Sequence, residues 1–276
     1  MATGPGSIRP RRILLALLLA EFLSAVLLLT RLQPPAAPPL AADAVVAQPT
    51  ATGPPTITTQ LPDGRRAEFV PLGGTRSAAL LSRVVAELPA AVDAVTDFWG
   101  PDWRREIVIV ATGSDPQFAA LAGGGADIAA ATTADRIVFA PGAATMTDES
   151  LRTVLRHEMF HHAVREQTAA DAPRWLTEGV ADYLARPRDA AAAPDPRAAL
   201  PTDSELDTPG PTRSLAYDRA WRFAAYVADR YGPERLRGLY VRACGPGHHD
   251  LATSVRDTLG SDLDEVLVGW RQWRQG

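Results

Sequence analysis

His157, Glu158 and His161 stand in the run His157-Glu158-Met159-Phe160-His161, a spacing that can do chemistry. On a helix, positions i and i+4 lie one turn apart on the same face. Two imidazoles so placed can share one Zn²⁺ at roughly 2.0–2.1 Å each. Glu158, beside them, can take a proton from a water polarised by the metal without occupying the metal itself. A catalytic zinc uses three protein ligands and keeps a fourth position for water. Glu178 offers the third: sixteen residues separate it from His161, and a short turn about residues 169–172 would return a second helix antiparallel to the first. Asp182, one turn beyond Glu178, can accept the free N–H of a liganding histidine and so fix its tautomer. Together these groups could carry out metal-assisted hydrolysis.

Two helices must hold them. Thr147 or Asp148 can cap the first, Glu149 sits in its first turn, and Leu151, Val154, Leu155 and Met159 form an apolar stripe. Neither Gly nor Pro interrupts residues 148–171. Pro173 opens the second. His162 projects about 100° from His161 and cannot share its ion. Cys244 with His248 and His249 lies in a Gly/Pro turn and could suggest a second metal site, but adjacent histidines in such a loop read as solvated.

With both helices counted, His157-Glu-x-x-His161 followed by Trp175-Leu-x-Glu178-Gly-x-Ala181 resembles the gluzincin clan of zinc metallopeptidases. The second phrase is similar to that of the M1 aminopeptidases, and Asp182 matches the position at which thermolysin-like enzymes hold an aspartate behind a zinc histidine. Length and loop pattern look more like the small bacterial peptidase MA-like domains. The resemblance covers about residues 68–275, strongly at the two helices. It implies one Zn²⁺ per chain on His157, His161 and Glu178, with Glu158 as general base and a peptide or protein substrate. It also implies that Tyr217, in Ser214-Leu-Ala-Tyr217-Asp-Arg219-Ala, donates a hydrogen bond to the oxyanion, with Arg219 where relatives carry lysine. The Gly-x-Met-Glu-Asn motif with which M1 enzymes bind a free substrate amine does not occur in the sequence. Gluzincins lay the peptide along an edge strand. Residues 126–132, small and short-chained, suit that strand, or form with the preceding glycines a flexible loop. Two other functions stand beside this one: a non-proteolytic binding module that keeps zinc as structure, and a zinc hydrolase of non-peptide substrates.

The rest of the chain supplies frame and placement. Residues 63–276 read as one α+β domain of zincin-like design, a small mixed sheet lobe and a helical lobe with the zinc site in the cleft between. Strands are expected at 68–71, 106–111 and in a hairpin about 137–139, helices at 76–99 and 115–121. A loop along the cleft, 188–212, precedes helices at 214–231, 233–243 and 251–273, the last broken at Gly260. Residues 33–62 are Pro, Ala and Thr with little charge, a spacer that cannot bury a core. Residues 13–30 are almost continuously apolar, with Arg9, Arg11 and Arg12 before and Arg31 after. Eighteen residues rise about 27 Å as a helix, so 1–32 reads as a signal anchor with the N-terminus inside and the domain extracytoplasmic. The alternative is a cleaved signal peptide and a secreted domain, although Ala42-Asp43-Ala44, which looks like a cleavage site, lies far beyond the apolar run. The single cysteine allows no intrachain disulfide. A net charge of −4 with no basic cluster in the domain argues against nucleic-acid binding. The absence of Lys beside 28 Arg points to a GC-rich bacterial genome.

Overall fold

The computed structural model describes residues 56–125, 127–187 and 199–273. The expected anchor and most of the spacer lie outside them. Among the described residues no helix is long and apolar enough to cross a membrane.

A five-stranded mixed sheet has the order β1-β2-β3-β5-β4, formed by β1 (Ile57–Gln60), β2 (Arg66–Pro71), β3 (Glu106–Ala111), β4 (Ala130–Thr132) and β5 (Ile137–Phe139). β2, β3 and β5 run parallel, while β1 and β4 pair antiparallel at the two edges. β1 falls in the stretch whose composition reads as spacer. Its Ile-Thr-Thr-Gln is short and β-branched, and its pairing with β2 gives its backbone groups the partners that a solvated linker would find in water.

Alternation divides the strands between two faces. Ala67, Phe69, Ile107, Ile109 and Ala111 are buried against the long helix α1 (Gly74–Trp99), whose Leu81, Val84, Leu88 and Val95 recur at helical spacing. On the other face Val110 and Val138 pack on Phe118 of α2 (Asp115–Ala122).

The helices that follow carry the candidate residues. α3 (Asp148–Val164) begins where the Thr147 hydroxyl accepts the Ser150 N–H at 3.1 Å, with Asp148 and Glu149 in the first turn. It packs against α1, β4 and α4 (Arg174–Ala185). Phe160 locks it in place, edge-on to Trp99 at 5.9 Å and to Tyr240 at 5.3 Å. A short α5 (Asp203–Asp207) lies within the expected cleft loop, fixed by a capping box between Thr202 and Glu205. Residues 188–198 of that loop are outside the described part. Then come α6 (Pro211–Tyr231), α7 (Pro233–Cys244), α8 (Leu251–Leu259) and α9 (Leu263–Gln272), the last two parted by Gly260 in the left-handed region at φ 72°. The result is the expected α+β arrangement. α4 and α6 touch at Gly179, where a Cβ would stand 2.5 Å from the Ala220 carbonyl oxygen. That approach explains the glycine after Glu178.

Candidate metal centre

One turn of α3 sets His157 above His161, and α4 brings Glu178 against both. The Nε2 atoms of the two histidines are 3.1 Å apart. Glu178 Oε2 is 3.2 Å from His157 Nε2 and 3.5 Å from His161 Nε2. A tetrahedral zinc with bonds of 2.0–2.1 Å has ligand atoms about 3.3–3.4 Å apart. The three donors therefore stand at the separations that one such ion needs. Among the described residues this is the one group of three or more His, Cys, Asp or Glu side chains so gathered.

The back of the site fixes the chemistry of the front. Asp182 Oδ1 is 2.8 Å from His157 Nδ1 and accepts its N–H, which leaves Nε2 as a bare lone pair. That lone pair faces the Glu178 carboxylate, an arrangement that only a proton or a cation makes favourable. Burial opposes a charged His157, but the Asp182 and Glu178 carboxylates outweigh it and raise its pKa well above the ordinary value. Burial likewise opposes a charged Glu178. The His161 and His157 imidazoles overcome it and hold the carboxyl well below its usual range. The donor set thus fits a bound cation.

The other predicted residues border the same cavity, of about 360 Å³, which lies between the sheet edge and α3, α4 and α6. Glu158 is 7% exposed, and the Thr132 hydroxyl of β4 donates to its Oε2 at 2.7 Å. The Tyr217 phenol, on the first turns of α6, lines the cavity with its ring centroid 6.4 Å from that of His157. Burial, with the neighbouring carboxylate charges added, pushes its pKa up, so the hydroxyl keeps its proton. Residues 127–132 divide between the two readings of that stretch. Gly123 ends α2 in the left-handed region, a loop follows, and only Ala130–Thr132 form the edge strand.

The chain as a sequence matches no protein-family model and no curated protein. Its coordinates superpose on an M1 zinc metallopeptidase from Deinococcus radiodurans with TM-score 0.52 and 16% identity, over 80% of this chain and 52% of that one. They also superpose on a mutant of a two-domain M1 zinc metallopeptidase bound to L-tryptophan, with TM-score 0.50 and 17% identity, over 81% and 52%. The fold is like that of the matched half of these M1 zinc metallopeptidase structures. The chain spans about half the length of the structures it matches.

Other residues singled out in the sequence lie away from the three donors. Arg219, set where relatives carry lysine, is buried and pairs with Glu205 on α5 at 2.6 Å. Two residues along a helix is about 200° of rotation, so Tyr217 and Arg219 cannot face the same way. His162 is buried beside the edge of Trp103, with Nε2 3.1 Å from the Glu106 carbonyl oxygen. Burial lowers its pKa, and a neutral ring can donate to that carbonyl. Cys244 is buried, His249 is exposed as expected, and His248 is half-buried with Nδ1 3.0 Å from the His249 carbonyl oxygen. Sequence reasoning missed Thr132 and Arg186. Arg186 donates Nε and Nη2 to Asp182 Oδ2 at 3.0 and 2.6 Å, an Asp–Arg pair at i, i+4 that charge spacing alone could have flagged.

Proposed function

We propose that the protein is a zinc-dependent peptidase, and the observation that carries this reading is the tetrahedral spacing of His157 Nε2, His161 Nε2 and Glu178 Oε2. Three protein donors are the number a catalytic zinc takes, where a structural one is closed by four. Zn²⁺ held there would supply Lewis acidity, lowering the pKa of a water toward 7 and drawing charge from a carbonyl. Asp182 holds His157 in the tautomer that offers Nε2. Glu158 receives the proton of the attacking water on its carboxylate and returns it to the leaving amine. The Thr132 hydroxyl, by occupying Oε2, orients that carboxylate and leaves its other oxygen for the proton. A peptide backbone that adds to the free edge of β4, beside Ala130 and Ala131, lies along the cavity wall where these groups converge. The apolar N-terminal run adds a placement to the proposal, a domain tethered at the outer face of a membrane.

The deciding experiment is cleavage mapping of a peptide library by the full chain, with and without chelator. Internal cleavage that stops on chelation and returns with Zn²⁺ is expected from protein recovered in the membrane fraction. No cleavage by the zinc-loaded protein overturns the peptidase, and recovery as a soluble shortened form removes the tether.

Tyr217 has a narrower role in the same reading, as a neutral donor to the oxyanion as it forms. Tyr217→Phe removes one hydroxyl and keeps the ring. Zinc content and melting temperature should hardly move, while kcat falls by roughly 10²–10³-fold with KM little changed. Activity within about threefold of wild type would make Tyr217 a packing residue.

A further inference from the structure

Behind His157 the structure carries a second layer that the metal reading alone does not require. Arg186 stands at the end of α4 with three contacts. Its Nε and Nη2 both donate to Asp182 Oδ2, its Nη1 donates to Asp218 Oδ1 at 2.6 Å, and its guanidinium lies over the Trp221 ring at 4.9 Å. Asp218 and Trp221 sit at i, i+3 on α6, and Asp218 is the residue after Tyr217. The carboxylates are poorly exposed, 9% for the Asp182 side chain and 16% for Asp218.

We propose that Arg186 is a positioning residue of the metal centre, gripping Asp182 against His157 and tying the helix that carries Tyr217 to the helix that carries Glu178. The physical reason lies in how the oxygens are shared. Oδ2 of Asp182 takes both N–H groups of the guanidinium, so Oδ1 is left with one task, the His157 Nδ1–H. A carboxylate held by one bond can rotate about its Cβ–Cγ axis, whereas one anchored through Oδ2 cannot do so without breaking two charge-assisted bonds. The same cation is shared by two poorly exposed carboxylates, one on α4 and one on α6. Its planar fork and its stacking on an indole are properties that lysine lacks.

This inference rests on the zinc reading, and zinc affinity rather than peptidase activity separates the two. The measurement is competition for Zn²⁺ between the full-length protein and a chromophoric chelator. Arg186→Gln should weaken zinc by about 10–100-fold, the usual effect of losing a partner behind a ligand. Arg186→Lys should recover part of that loss. Asp218→Asn leaves the grip on Asp182 intact, so zinc affinity should stay within about twofold of wild type while kcat falls and KM holds. An arginine of merely structural importance would lower the melting temperature and leave the zinc affinity of the folded protein unchanged. That result in Arg186→Gln overturns the proposal. Should Arg186→Gln lose its cooperative melt, Arg186→Lys becomes the deciding variant, and wild-type zinc affinity there overturns it equally. A wild-type protein that binds no zinc would instead remove the metal reading beneath it.

Discussion

Glu158→Gln should leave zinc bound at near unit stoichiometry while hydrolysis falls by roughly 10²–10⁴-fold, the share that a positioned general base supplies. Each tenfold is about 1.36 kcal/mol of barrier, so the change costs about 3–5 kcal/mol in the transition state. Gln keeps the shape of the side chain, and its amide oxygen can still accept the Thr132 hydroxyl that now reaches Oε2. Only the capacity to hold a proton is gone. Because Glu158 is not among the three gathered donors, metal and chemistry come apart in this variant. Metal analysis showing zinc lost along with activity would contradict the role given to Glu158.

Glu178→Ala should do the reverse and release the metal, taking activity with it to background. It removes the one anionic donor and leaves two imidazoles with their Nε2 atoms 3.1 Å apart and no charge to offset a dication. The loss should exceed the roughly 10–100-fold typical of a partner behind a ligand, because a ligand itself is gone. A thermal shift gives an independent reading. A protein that binds zinc only when folded is stabilised by RT ln(1 + [L]/Kd), so added Zn²⁺ should raise the melting temperature of the wild type and leave that of the variant unmoved. Full zinc occupancy after dialysis of Glu178→Ala would strike it from the ligand set, and so would a zinc-dependent shift of wild-type size.

The legible part of the site was the local part. His157 and His161 meet because helical rotation returns to the same face after four residues, and Asp182 follows Glu178 for the same reason. Only the antiparallel return of α4 had to be supplied, and the short 169–172 turn left little alternative. The buried strand 107–110 was equally readable, since Ile107 and Ile109 alternate with residues of the opposite face. What escaped depends on contacts between distant segments. Thr132 reaches Glu158 across 26 residues of sequence and Arg186 reaches Asp218 across 32, distances over which no periodicity speaks. β1 was hidden by its neighbours, because four residues of strand inside a Pro/Thr-rich run carry too little pattern to outvote the composition around them. Arg219 shows a different limit. A motif position was compared by its place in the sequence, while helix phase had already turned it toward Glu205.

The contact at Gly179 bears on how this molecule can breathe. With a Cβ's breadth denied between α4 and the Ala220 carbonyl, the two helices cannot slide along each other without collision. Glu178 and Tyr217 sit on the two helices that meet there. The opposite bank of the cavity is built differently, from β4, which is three residues long and pairs with β5 at the edge of the sheet. The two walls of the cavity thus differ in kind, a helix pair in close backbone contact on one side and a short edge strand tied to α3 through Thr132 on the other.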